Sequence, residues 1–187
     1  MSRTTSELEG AVLGVIWQEG PCTAYTVRKR FVASPSPQWS GSAGAIYPLV
    51  RRLEKKRLLA SRILTSTKRG GRLYTLSSAG QKVLDEWIKP PLSPMVTGVP
   101  ADPLRTRIGF LGALIPARRR TFIEAALRGN DVEIQTTLVE IKDSREKNDH
   151  WHLLAAQGAL ACLRARRTWL RAAARSLHRK RRAAAAG

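Results

Sequence analysis

Apolar side chains recur at intervals of three and four near the start of the chain. Leu8, Val12, Val15 and Ile16 share one face between Ser6 and Glu19, and Gly20-Pro21 closes the run. The spacing predicts a helix over 6–19. Thr23 has the chemistry of a helix cap, and Ala24, Tyr25, Val27, Phe31 and Val32 follow, interleaved with Arg28-Lys29-Arg30, until Ser34-Pro35-Ser36-Pro37 ends a second, short helix. Trp39-Ser40-Gly41 reads as a turn and Ser42 as the cap of a third helix. Ile46, Leu49, Val50 and Leu53 form its buried stripe, with Tyr47, Arg51, Arg52 and Lys55 on the other face. Pro48 lies inside this helix, removes a backbone donor and is expected to bend its first turns away from the rest.

Beyond the third helix the period changes. Leu59 to Thr67 is rich in branched residues and Leu73 to Ser77 alternates, with Lys68-Arg69-Gly70-Gly71-Arg72 between them as a hairpin turn. A fourth helix over Ser78 to Ile88 is expected, capped by Ser77 or Ser78, with Val83, Leu84, Trp87 and Ile88 inward. Helices followed by a two-stranded hairpin with a basic tip make a winged helix-turn-helix over residues 1–88. In that arrangement the third helix enters the major groove and the hairpin lies across a phosphate backbone.

Five prolines in the fifteen residues 89–103 predict a linker. The remainder reads as helical: Leu104 to Leu114, then a helix opened by Pro116 and ended at Gly129-Asn130. Another follows, capped by Asp131, with Ile134, Leu138 and Ile141 on one face. The last helix, Asp149 to Leu177, sets Trp151, Leu154, Gly158, Cys162, Ala165, Trp169 and Ala172 at steps of 3, 4, 4, 3, 4 and 3, which is coiled-coil spacing. A helix of 29 residues, about 43 Å long, needs more cover than so small a domain supplies, so a homodimer is expected to form on that seam. The fold class is mainly α: an N-terminal winged helix-turn-helix, a helical dimerisation region over 104–177 and a basic, flexible tail over 178–187.

Charge then narrows the function. The 187 residues carry 33 Lys and Arg against 14 Asp and Glu, a net +19, and both halves share it, so double-stranded DNA leads the list of partners. Arg51, Arg52 and Lys55 fit phosphates or guanine edges, Tyr47 beside Arg51 fits the same surface, and Lys68, Arg69 and Arg72 at the wing tip fit backbone or minor groove. Arg164 to Arg182 holds nine basic residues and no acid, a solvated face or an extension of the DNA contact. Cys22 and Cys162 lack the spacing of a disulfide framework or zinc site and read as reduced core thiols. His150 and His152 point to different helix faces, so no metal is expected, and no cofactor either. Nothing resembles a catalytic triad, a phosphate loop or clustered carboxylates, which argues against an enzyme. Trp87, Trp151 and Trp169 are candidates to line an aromatic-ligand pocket, although core or interface packing suits them as well. Without an apolar run to span a bilayer or an apolar leader, the protein is expected in the cytoplasm, on DNA and not on a membrane.

The segments Gly-Pro-Cys-Thr-Ala-Tyr (20–25), Ser-Pro-Ser-Pro-Gln-Trp-Ser-Gly-Ser-Ala-Gly-Ala-Ile-Tyr-Pro-Leu-Val-Arg-Arg-Leu-Glu (34–54) and Gly-Arg-Leu-Tyr-Thr-Leu-Ser (71–77) resemble the PadR family of bacterial transcriptional regulators. The resemblance covers about residues 6–88 closely and the rest loosely. It implies a homodimeric repressor on a palindromic operator, released by a small-molecule effector whose identity does not carry over. It also implies groove or backbone contacts for Ser42, Tyr47 and Arg51 and, from the second helix, for Thr23 and Tyr25. Ala45 stands where many members carry Thr. The alternative from charge alone is a non-specific or structured-nucleic-acid binder without a regulatory ligand.

Overall fold

The computed structural model describes residues 5–34, 36–64 and 71–184, the last seven as backbone, in two units, Met1–Val99 and Pro100–Gly187. In the first unit, α1 (Glu7–Glu19) opens with a capping box. The Ser6 hydroxyl accepts from Glu9 N, and the Glu9 carboxylate accepts from Ser6 N at 3.2 Å. It ends at Gly20, whose φ of +67° suits only a residue without Cβ. Helix α2 (Ala24–Val32) is capped by Thr23, whose hydroxyl accepts from Thr26 N.

The segment before the third predicted helix differs from its expected form. Trp39-Ser40-Gly41 belongs to a short helix, α3 (Pro37–Gly41), held by the edge of Trp39 against Phe31. Ser42 does not cap a helix; its hydroxyl donates to the Gln38 carbonyl at 2.7 Å and opens a 3-10 turn, Ser42–Ala45. Helix α4 (Ile46–Lys55) starts only then, so Pro48 falls in its first turn, where a backbone N–H has no intrahelical acceptor to lose. The tighter 3-10 winding before it takes the place of the expected bend.

Strands β1 (Leu59–Leu64) and β2 (Gly71–Leu76) pair antiparallel from Leu59 opposite Leu76 to Leu64 opposite Gly71. Cys22 adds a bridge to Tyr74, which ties the start of α2 to the hairpin. Helix α5 (Ser78–Ile88) is capped by Ser77 and returns to α1. Val12, Leu13, Ile16, Val27, Ile46, Leu49, Val50, Leu53, Leu59 and Leu84 form the core, with Val83 and Trp87 packed at its edge; Ile88, expected inward, is exposed. Trp87 lies over Gly10, where a Cβ would stand 2.3 Å from the indole. A four-residue helix, α6 (Pro94–Thr97), interrupts the proline-rich segment.

In the second unit, the predicted helix over 104–114 is two pieces, α7 (Pro103–Gly109) and a 3-10 turn at Leu111–Ala113. Asp102 caps α7 by accepting from Leu104 N and Arg105 N, and it also receives Arg166 at 3.1 Å. Gly129-Asn130-Asp131 does not end a helix: α8 runs unbroken from Pro116 to Glu146. A glycine costs a helix interior about 1 kcal/mol, which packing along 31 residues outweighs. Asn130 faces inward and donates to the Leu163 carbonyl at 3.1 Å.

Helix α9 (His150–Ala184) follows a tight turn, with Asp149 accepting from His152 N, and continues beyond the expected end at Leu177. The buried positions of α8, Ile123, Asn130, Ile134, Thr137, Ile141 and Ser144, keep heptad spacing. They do not meet the stripe expected to be the seam of α9. The side turned to α8 is Leu153, Ala156, Leu160 and Leu163, whereas Trp151 and Leu154 are 68% and 48% exposed, and Gly158 and Cys162 are exposed too. Cys162 is therefore no core thiol within the chain, while Cys22 is buried. Helix α9 is apolar on two faces, and periodicity does not say which one meets α8.

Candidate nucleic-acid interface

The first unit opens a cleft of about 770 Å³ between α2, α4 and the hairpin. Six of the predicted contact residues line it: Thr23 and Tyr25 from α2, Tyr47, Arg51 and Lys55 from α4, and Arg72 from β2. The step of four from Tyr47 to Arg51 to Lys55 puts the three on one side of α4, because Ile46, Leu49, Val50 and Leu53 anchor the other side in the core. Tyr25 and Tyr47 are 61% and 43% exposed. The N-terminus of α2 also faces this space, and first-turn N–H groups suit an anion. Phenol hydroxyls, a guanidinium, an ammonium and a helix N-terminus are groups that hold phosphates and read guanine edges.

The floor of the cleft carries an acid that pattern reading missed. Glu54 accepts from Arg72 Nη1 at 2.7 Å and from the Ser61 hydroxyl, and Arg72 Nη1 also lies 3.3 Å from Ser61 Oγ. The Ser61 hydrogen bond, followed against partial burial by Arg72 and Arg51, holds the Glu54 carboxyl below its ordinary range. Burial, and then the Glu54 charge, pushes the Tyr74 hydroxyl beneath it up, so it stays neutral. Ser61 and Arg72 lie on the same face of the hairpin, since Ser61 pairs with Tyr74 and Ile63 with Arg72. The signal available in the sequence was an acid three residues after Arg51 on the cationic face.

Other predicted residues fall elsewhere. Arg52 turns across α4 to Glu9, 3.7 Å away, beside Lys56 at 3.0 Å. Ser42 lies outside the cleft, with its hydroxyl on Gln38. Lys68 and Arg69 lie outside the described residues. Trp87 belongs to the edge of the first unit's core, with its Nε1 3.3 Å from Glu7, while Trp151 and Trp169 sit on α9, the first stacked edge-on with His150. Among the described residues no group of three His, Cys, Asp or Glu side chains could hold a metal, and no helix is long and apolar enough to cross a membrane.

A winged-helix head with a cationic cleft over its third main helix, followed by a long helical hairpin, defines a class of nucleic-acid-binding regulator. The model of the Transcriptional regulator PadR-like family matches residues 12–86, which is the winged-helix head of this chain. No curated relative matches it. Among solved structures it is similar to Bacillus subtilis PadR in complex with operator DNA, with TM-score 0.78 and 20% identity over 91% of this chain and 97% of that one. The same Bacillus protein in complex with p-coumaric acid gives TM-score 0.69 and 19% identity over 95% and 99%. The PadR-like regulator BC1756 from Bacillus cereus gives TM-score 0.72 and 15% identity over 95% and 99%. At these identities the likeness is one of fold.

Proposed function

We propose that this protein is a homodimeric, sequence-specific regulator that binds a palindromic operator and represses by occupying it. The convergence of Thr23, Tyr25, Tyr47, Arg51, Lys55 and Arg72 on one open cleft carries the reading. In this reading Arg51 and Tyr47 reach base edges, Lys55 and Arg72 hold the backbone, and Thr23 and Tyr25 set α2 against a phosphate. Two heads held by a dimer read half-sites one helical turn apart or a multiple of it. The stripe of exposed Trp151, Leu154, Gly158 and Cys162, continued by half-buried Trp169, supports pairing on α9. A small-molecule effector, of a class left open by this chain's residues, would release the operator by favouring a dimer that no longer fits the spacing.

The test is binding to the DNA upstream of the protein's own gene against a scrambled duplex at two salt concentrations. Binding that survives competitor at the higher salt is the expected result. Equal collapse on both duplexes favours the alternative of charge-driven association, which the net +19 alone would support. A promoter-reporter measurement then separates repression from activation.

A further inference from the structure

A carboxylate is an unexpected lining for a cleft that is to hold a polyanion. Glu54 stands between Arg51 and Arg72, and repels any phosphate that approaches them. It is not needed to complete the core: Leu53 and Val50 do that, and Glu54 projects to the wing instead. Its partner Arg72 is the one described wing cation in the cleft, and in the free protein its Nη1 is committed to Glu54 at 2.7 Å and to Ser61 at 3.3 Å. Arg51 and Lys55 make no such pair among the described residues, so the three cations are not equivalent. Arg51 and Lys55 stand ready for DNA, whereas Arg72 must first exchange one oxygen acceptor for another.

Resting on the DNA-binding reading above, we propose that Glu54 sets specificity: a Glu54–Arg72–Ser61 latch holds Arg72 to the recognition helix. Only a duplex that offers Arg72 a better acceptor than this carboxylate releases it. A single phosphate met in passing replaces one anion by another and gains little. A guanine edge or a narrowed minor groove, in register with Arg51, offers paired acceptors or a shaped slot, where Glu54 holds Arg72 through Nη1. The latch thus lowers affinity for ordinary DNA more than for a matched site, which is discrimination by a repulsive element.

The experiment compares the full-length wild type with Glu54→Gln, Arg72→Gln and the double variant. Each is titrated by fluorescence anisotropy, over a range of salt, against a duplex that the wild type selects from a random pool and against its scramble. Glu54→Gln is expected to bind the scramble several-fold more tightly, with a salt slope steeper by about one as Arg72 takes up a phosphate, and the ratio of selected to scrambled affinity falls. In the double variant the gain shrinks to the smaller part owed to lost repulsion near Arg51, and the steeper salt slope is absent relative to Arg72→Gln. A gain and a slope change that persist there undiminished would mean that the charge acts alone, and weaker binding of Glu54→Gln to both duplexes would mean a purely structural pair; either overturns the latch. Should Glu54→Gln unfold by circular dichroism, Arg72→Gln decides by itself, since the latch requires a larger loss on the selected duplex than on the scramble and an equal loss overturns it. A wild type that selects no sequence removes the DNA reading and the latch together, whereas a selective wild type with an unchanged Glu54→Gln removes the latch alone.

Discussion

Arg51 and Arg52 are neighbours in the chain with opposite engagements: one lines the open cleft and the other turns to Glu9. Arg51→Ala is therefore expected to weaken binding to a selected duplex by about 1–3 kcal/mol in anisotropy titrations if it reads a base. Arg52→Ala should leave the base preference intact, because its partner lies on α1. Asp102 makes a second argument at this scale. Burial alone would raise its carboxyl, but backbone N–H bonds from Arg105 and Leu104 and the Arg166 guanidinium outweigh it, so its pKa lies below the ordinary value. Being depressed in the folded state, it stabilises fully above the unfolded value of about 3.9 and loses that contribution as pH falls through the folded value. Asp102→Asn should lower the urea midpoint at neutral pH, with the gap to wild type closing below about pH 4. A gap that widened in acid would contradict the assignment.

At the scale of elements, α8 and α9 form a pair whose seam is not uniformly apolar. Thr137 and Ser144 satisfy their hydroxyls on the carbonyls of Glu133 and Glu140 in their own helix, but Asn130 Oδ1 is buried with no hydrogen-bond partner. A buried unsatisfied oxygen costs stability, and a polar residue in such a seam is a known means of setting helix register. Asn130→Leu is expected to raise unfolding stability by about 1–2 kcal/mol in urea, since the Leu163 carbonyl keeps its place in the α9 ladder. A destabilised variant would show that the donation to Leu163 outweighs the unpaired oxygen. The same pairing explains the unbroken α8: Asn130, a helix-ending residue by type, is held inside the seam.

At the scale of the whole molecule, the outer face of α9 is a broad apolar feature left exposed among the described residues. With 35 residues this helix is about 52 Å long, and α8, with 31, covers one side of it. Large side chains such as Trp151 and Leu154 on the other side are an interface in the proposed dimer. Leu154→Glu should shift sedimentation-velocity boundaries toward monomer and weaken operator binding, because the avidity of two linked heads is lost. A dimer unaffected by that change would place the interface elsewhere.

Much of this protein was legible from residue order. Local rules decide whether a stretch is helix or strand, and the capping chemistry of Ser6, Thr23 and Ser77, the apolar stripe of α4 and the alternation in β2 all act within a few residues. The cationic side of α4 follows from the same arithmetic, as Tyr47, Arg51 and Lys55 must lie opposite Ile46, Leu49 and Val50. What local rules leave undecided is partnership. Glu54 and Arg72 are eighteen residues apart and meet only because the hairpin folds back on α4. Gly129-Asn130 carries a stop signal that is overridden by packing 33 residues away, at Leu163. On α9, two apolar stripes were equally readable, and only the approach of α8 chose between them. The sequence by itself therefore determined the elements and the sign of their faces, because those depend on bonds and side chains a turn apart. The tertiary structure alone decided which face meets which partner, because burial energy is shared between segments that the chain order keeps distant.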